Sequence, residues 1–220
     1  MSRAVQDSQE LLALLDDNGR LCEPVQLEEG GWYYRLQALT SLEGLTFAED
    51  CWLNGLSALT DLNGVTLAAG CQLYNLSAVT TLEGLTLGEG CRLRGLSSVT
   101  TLDGLAMAES CALYGLSSVT SIKGMTMADN SWISGLSALT VLQDLTLAAG
   151  CELLHLSSVR AIKRVTMAKG CKLWDLRSVV EIEDLVMSED CELRDLSEPM
   201  KKRLADLRAA NTKERDKKES

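Results

Sequence analysis

From Ser41 to Met200 the chain repeats one pattern eight times, at a period of twenty residues, with no insertion or deletion. A representative block reads TLEGLTLGEGCRLRGLSSVT (residues 81–100). A unit this short cannot bury its own apolar side chains, so stability has to come from stacking each unit on the next. The repeat therefore predicts an elongated solenoid of near-identical coils. It argues against a globular domain built around a buried catalytic cleft.

Position 1 of the block falls on Ser41, Asp61 and Thr81; position 2 is then Leu or Ile throughout, position 5 Leu, Val or Met, and position 7 Leu, Met or Phe. Position 11 is Cys except at Ser131, position 13 is Leu or Ile, position 16 is always Leu, and position 19 is Leu or Val until Pro199. Positions 5 and 7, and again 11 and 13, are two apart, the alternation of a half-buried strand. Positions 13, 16, 19 and the next 2 are three apart, as in tight 3₁₀-type corners. Gly at position 4 (Gly44 to Gly124) and Gly, Asp, Asn or Ser at position 10 mark bends. Each coil is read as a strand near positions 4–8, a turn, a second extended segment near 11–14 and a curved return. In-register stacking gives parallel ladders about 4.8 Å apart and a rod roughly 35–45 Å long.

The predicted fold is thus mainly β, a capped parallel β-solenoid of eight to nine coils. Residues 1–20 form an N-terminal cap, with an amphipathic helix over Asp7 to Leu15. Residues 21–200 form the solenoid, of which 21–40 are a degenerate first coil with Cys22, Val25, Leu27, Tyr33, Leu36 and Leu39 pointing inward, and 41–200 the eight repeats. A helix starting around Ser197 to Pro199 leads into a C-terminal amphipathic cap and basic tail over 201–220, frayed from 211 on. Both prolines, Pro24 and Pro199, sit at these boundaries. Caps are needed because an open parallel stack exposes unpaired backbone and aggregates.

The run Leu82-x-x-Leu85-x-Leu87, with Cys91 following, resembles the leucine-rich repeat signature, and the resemblance spans residues 21–200. It implies a curved solenoid that binds other macromolecules, usually proteins, through exposed strand faces. Two departures stand out: the spacing from Leu87 to Cys91 is one residue longer than the family's, and twenty residues leave no room for a long convex helix. A right-handed parallel β-helix is accordingly the alternative coil type.

A net charge of −10 argues against a nucleic-acid or anionic-membrane surface. No apolar run approaches the ~18–20 residues needed to span a bilayer, and the N-terminus lacks the long hydrophobic middle of a signal peptide. Seven of the eight cysteines fall once per coil (Cys51, Cys71, Cys91, Cys111, Cys151, Cys171, Cys191). A column of this kind offers a line of thiols where zinc needs converging ligands, so it is read as small buried packing residues. A reducing, cytoplasmic location is expected on that basis.

Three outward columns bear on function. Seven of the aromatics occupy positions 12 or 14: Trp32, Tyr34, Trp52, Tyr74, Tyr114, Trp132 and Trp174. Alternation about the inward position 13 points them outward, next to Arg92 and Arg94. Trp, Tyr and Arg on one exposed face match the composition of binding hot spots. A second column at position 6, Thr46, Thr66, Thr86, Thr126, Thr146 and Thr166, runs between small residues at positions 4 and 8. Such a flat Thr/Ala stripe is the alternative site, an ice-binding array. Carboxylates at position 9, Glu89, Glu109 and Asp129, would stack rung on rung, as in β-helix enzymes that act on polysaccharides. His155 is the only histidine, at a corner, and nucleotide-binding and zinc motifs are absent, so no catalytic residue, cofactor or metal is expected. Threonines at position 20, after Ser at position 17, are assigned to backbone bonding in the return. The expected function is a non-enzymatic interaction or scaffold module with a protein partner or a place in a larger assembly, a homodimer being one form of it.

Overall fold

The computed structural model describes residues 2–188 and 190–207. Nine strands, from Trp32–Tyr33 to Glu192–Leu193, lie side by side in chain order as one parallel ladder. Leu53, Leu73, Leu93 and Leu113 stack directly over one another in it, so residues twenty apart are in register. The fold is the expected parallel β-solenoid. A strand at Arg3–Val5 pairs with Val25–Leu27 ahead of the repeats and begins a tenth turn.

The second run of strands, at positions 5–7, makes the other ladder. It is broken into sheets of three, two and five strands, with interruptions between Thr46 and Thr66 and between Thr86 and Ala106. In the last three coils its strands lengthen to Val141–Leu147, Ala161–Met167 and Glu181–Met187. There position 4 is Asp144, Arg164 or Asp184 instead of Gly, and cross-rung ion pairs join Arg164 to Asp144 and Lys163 to Glu181 and Glu183. These pairs are exposed and individually worth little, about 0–1 kcal/mol.

From 41 to 180 each coil turns three corners, at positions 4, 10 and 15, and at each a residue with positive φ bends the chain. The third corner is filled by Gly55, Gly95, Gly115 and Gly135, but also by Arg35, Asn75, His155, Asp175 and Asp195. Asn and Asp tolerate the left-handed region better than other side-chain-bearing residues, and this mixture hid the corner in the sequence. Between positions 16 and 19 the return closes with short i→i−3 bonds, such as Val79 N–H to Leu76 O (3.1 Å), as the three-residue spacing predicted. Leu82, Leu85, Leu87, Cys91, Leu93, Leu96 and Val99 of one coil are all buried. Covering each Leu is worth about 1.5–3 kcal/mol, gained only when the adjacent coil is in place.

The cysteine column is buried as expected, and it does more than fill space. Each thiol donates to the carbonyl of position 8 in the coil before: Cys71 to Ala48 (3.2 Å), Cys91 to Ala68 (3.1 Å), Cys171 to Ala148 (2.9 Å). At the one exception Ser131 Oγ donates to Ala108 O at 2.8 Å.

The ends differ from expectation in detail. The N-terminal cap combines the Arg3–Val5 strand with a helix, α1 (Ser8–Leu12), shorter than the predicted 7–15. Asp7 caps it, its carboxylate accepting from the N–H groups of Gln9 and Glu10. Cys22, predicted inward, is exposed. Its N–H bonds to Leu14 O and its neighbour Leu21 pairs antiparallel with Leu15, so the first coil begins as a hairpin with the cap and its alternation starts only at Val25. The buried Tyr33 donates its hydroxyl proton to Val5 O (2.8 Å) and locks the cap to the first coil. At the other end helix α2 (198–207) inserts Leu204 into the core, and the tail predicted to fray lies outside the described residues.

Candidate functional site: an aromatic and arginine face

Positions 12 and 14 flank position 13, which is fully buried from Tyr33 to Leu173 and half-buried at Leu193. Apart from the buried Ala112, residues at 12 and 14 stand on the outer surface of the nine-stranded ladder. Trp32 and Tyr34 are its most exposed aromatics, at 59% and 57%. Trp52, Tyr74, Tyr114, Trp132 and Trp174 are half-buried, because each ring leans on its neighbours. Parallel in-register strands set adjacent rungs about 4.8 Å apart, well within reach of ring-to-ring contact.

The contacts form a continuous chain. Trp32 meets Trp52 edge to face at 4.4 Å between centroids, and Trp52 meets Tyr74 at 5.4 Å. The Arg94 guanidinium bridges the next gap, 5.6 Å from the Tyr74 ring and 4.2 Å from that of Tyr114. Tyr114 then meets Trp132, at 6.3 Å, and its hydroxyl accepts the Trp132 indole N–H at 2.9 Å. Such ring and cation–ring contacts contribute about 0.5–1.5 kcal/mol each. The indole N–H of Trp52 is buried with no acceptor among the described residues.

Trp174 lies apart from this chain. Arg194 covers its ring at 4.1 Å, and its indole N–H donates to Glu152, which also pairs with Lys172 at 3.1 Å. Of the nine residues singled out on this face, seven are joined: Trp32, Trp52, Tyr74, Arg94, Tyr114 and Trp132 by contact, and Arg92 through its place beside Arg94 on one strand, Arg92–Arg94. Tyr34 is tied to the cap, its N–H donating to Ser8 Oγ at 2.7 Å. The supporting roles of Gln72, which accepts from the Tyr74 hydroxyl, and of Glu152 and Arg194 were missed. The signal was available: all three fall in the same two columns, two or twenty residues from an aromatic.

The other candidates are arranged differently. The position-6 threonines are all exposed, and Thr126, Thr146 and Thr166 pair in register. The column as a whole is not one surface, since its ladder is interrupted twice. The first interruption opens a cleft of about 680 Å³ between 41–47 and 61–68, with Glu43 and Asp61 in its lining. Glu89, Glu109 and Asp129 sit exposed along a corner, where Asp129 accepts the Ala149 N–H. His155 Nδ1 lies 3.2 Å from Ser134 Oγ, on an exposed corner with no other partner among the described residues. Several position-20 hydroxyls bond carbonyls of the turn before, as expected: Thr40 to Asn18 O (2.7 Å), Thr80 to Thr60 O (3.4 Å) and Thr120 to Thr100 O (3.4 Å). Among the described residues no helix is long and apolar enough to cross a membrane, and no group of His, Cys, Asp and Glu side chains is placed to hold a metal ion.

No protein-family model, curated protein or solved structure matches this chain.

Proposed function

We propose that the chain is a non-enzymatic binding module of leucine-rich-repeat type that holds a protein partner on its aromatic and arginine face. The observation that carries this reading is the unbroken run of ring and guanidinium contacts from Trp32 to Trp132 on an outer surface, ending in two large, exposed aromatics. Contiguous exposed apolar surface of this kind marks interaction sites. The rings are already fixed by their neighbours, so little side-chain entropy is lost on docking. Leu or another large apolar residue at positions 2, 5 and 7 with Cys or Ser at 11 supports the leucine-rich-repeat assignment. A thiol column in which each S–H is used as a donor suits a reducing, cytoplasmic setting.

The alternative, an ice-binding threonine array, draws support from two separate in-register runs, Thr66 with Thr86 and Thr126 with Thr146 and Thr166, divided at Ala106, and charged Asp144, Arg164 and Asp184 border the second. A polysaccharide-acting enzyme draws less, because Glu89, Glu109 and Asp129 lie open to solvent.

The test is capture of partners by the full chain and by Trp32→Ser/Tyr34→Ser, two exposed side chains whose loss leaves the core intact. The expected result is loss of captured protein at unchanged circular dichroism, with the thermal midpoint lowered only by the lost Trp32–Trp52 contact. Equal capture by both chains would refute this face as the binding site.

A further inference from the structure

Building on that reading, we infer that the partner presents an extended acidic segment, with a bulky apolar side chain on Trp32, Tyr34 and Trp52 and a carboxylate about four residues away between Arg92 and Arg94.

Charge carries the first part. The chain has a net charge of −10, yet positions 12 and 14 from Trp32 to Ser134 hold no carboxylate. The only charged residues there are Arg92 and Arg94, on one strand at either side of the buried Leu93. Further along the same face each cation is neutralised, Lys172 by Glu152 (3.1 Å) and Arg194 by Glu192 (2.7 Å). The Arg92 side chain has no hydrogen-bond or ion-pair partner among the described residues. Arg94 is held by the Tyr74 and Tyr114 rings, contacts that leave its N–H donors unused. A guanidinium immobilised on aromatic rings and unpaired is prepared for a bidentate carboxylate. The two arginines form a local positive island on a protein of net charge −10, so they favour acidic partners and repel basic ones.

Ring geometry selects the class of macromolecule. Trp32 and Trp52 meet at 76°, Tyr114 and Trp132 at 80°, and Arg94 occupies the Tyr74 and Tyr114 rings. No row of parallel ring faces remains for sugars to stack on. Two arginines are also too few to hold a phosphate backbone. Peptide side chains suit the uneven ridge.

Register supplies the spacing. Three rungs separate Trp32 from Arg92, about 14 Å at about 4.8 Å per rung. An extended peptide rises about 3.3 Å per residue, so the same span takes about four residues. Residues i and i+4 of a strand also point to the same side, so both groups face the ladder together.

The experiment selects random twelve-residue peptides, displayed on phage, on the full chain. Selected peptides are then titrated against the parent, Arg92→Gln/Arg94→Gln and Trp32→Ser/Tyr34→Ser, by fluorescence polarisation at two salt concentrations. The expected outcome is enrichment of Asp or Glu four positions from Trp, Phe or Leu. Binding should weaken at least tenfold in either double variant, weaken similarly when the acid is replaced by its amide, and fall with salt. Enriched peptides without acids, bound through Trp32 and Tyr34 but indifferent to Arg92→Gln/Arg94→Gln, would overturn the acidic segment and leave the binding face standing. Failure to enrich any peptide would also overturn it. So would retention of the chain on a sulfated polysaccharide through the same arginines, or self-association abolished by Trp32→Ser/Tyr34→Ser. Peptides indifferent to both double variants would overturn the binding face as well.

Discussion

At the scale of single residues, the most instructive position is the one exception in the cysteine column. Ser131 replaces Cys without disturbing the stack because the position requires a small side chain that carries a hydrogen-bond donor. Its hydroxyl donates to Ala108 O (2.8 Å) and accepts the Cys111 N–H (3.2 Å), completing two backbone groups inside a fully buried site. Size alone would admit Ala. Ser131→Ala strands both groups and should cost about 1–3 kcal/mol, read as a lower midpoint in urea unfolding. Ser131→Cys restores a thiol donor like its neighbours' and should stay close to the parent.

At the scale of the coil, the three corners are not equivalent. Gly124 lies on an open edge where an added Cβ would meet nothing within 4 Å, and Asp144, Arg164 and Asp184 fill the equivalent corner of later coils. Gly135 has φ +101°, further into glycine territory than any side-chain-bearing residue of its column, and a Cβ there would stand 2.8 Å from Leu116 N. Left-handed backbone costs an L-residue about 1–2 kcal/mol even without a clash. Gly135→Ala should therefore lower the thermal midpoint clearly more than Gly124→Ala, and equal effects in parallel melts would show that the corners share one constraint. The same unevenness explains what the sequence concealed: position 4 reads as a turn because glycine repeats there, whereas position 15 alternates Gly with Asn, Asp, Arg and His.

At the scale of the whole molecule, stability is distributed along the stack, and two buried thiols, Cys151 and Cys171, make it pH-dependent on the alkaline side. The pKa of Cys71 and of Cys91 is raised while that of their neighbours Cys51 and Cys111 is lowered, so within these two pairs the effects offset. Burial raises that of Cys151 and pushes Cys171 up to about 12. Unfolded thiols ionise near pH ~8.5. Below that pH Cys151 and Cys171 hold their protons in the folded and unfolded chains alike, and their contribution is complete. Above it the unfolded chain loses protons that the folded chain keeps, so stability falls progressively as pH rises toward about 12. Urea midpoints between pH 7.5 and 10.5 should show this decline. Cys151→Ser/Cys171→Ser, which keeps the donors but cannot ionise, should flatten it, and an unchanged slope would assign the decline to other groups.

The twenty-residue period and the alternation about Leu53, Leu93 and Ile133 were enough to establish a stacked parallel fold, its inward columns and the outward aromatic face. Side-chain direction is a property of the local backbone, so any one rung displays it. Contacts between rungs are another matter. That a Cys thiol reaches the carbonyl twenty-three residues back, that Arg94 bridges Tyr74 and Tyr114, that the other ladder opens beside Thr46, and that Arg3–Val5 joins the sheet while Cys22 turns outward were decided in three dimensions. Each depends on how far one coil shifts and twists over the next, a distance set by packing across the whole stack and written in no single repeat.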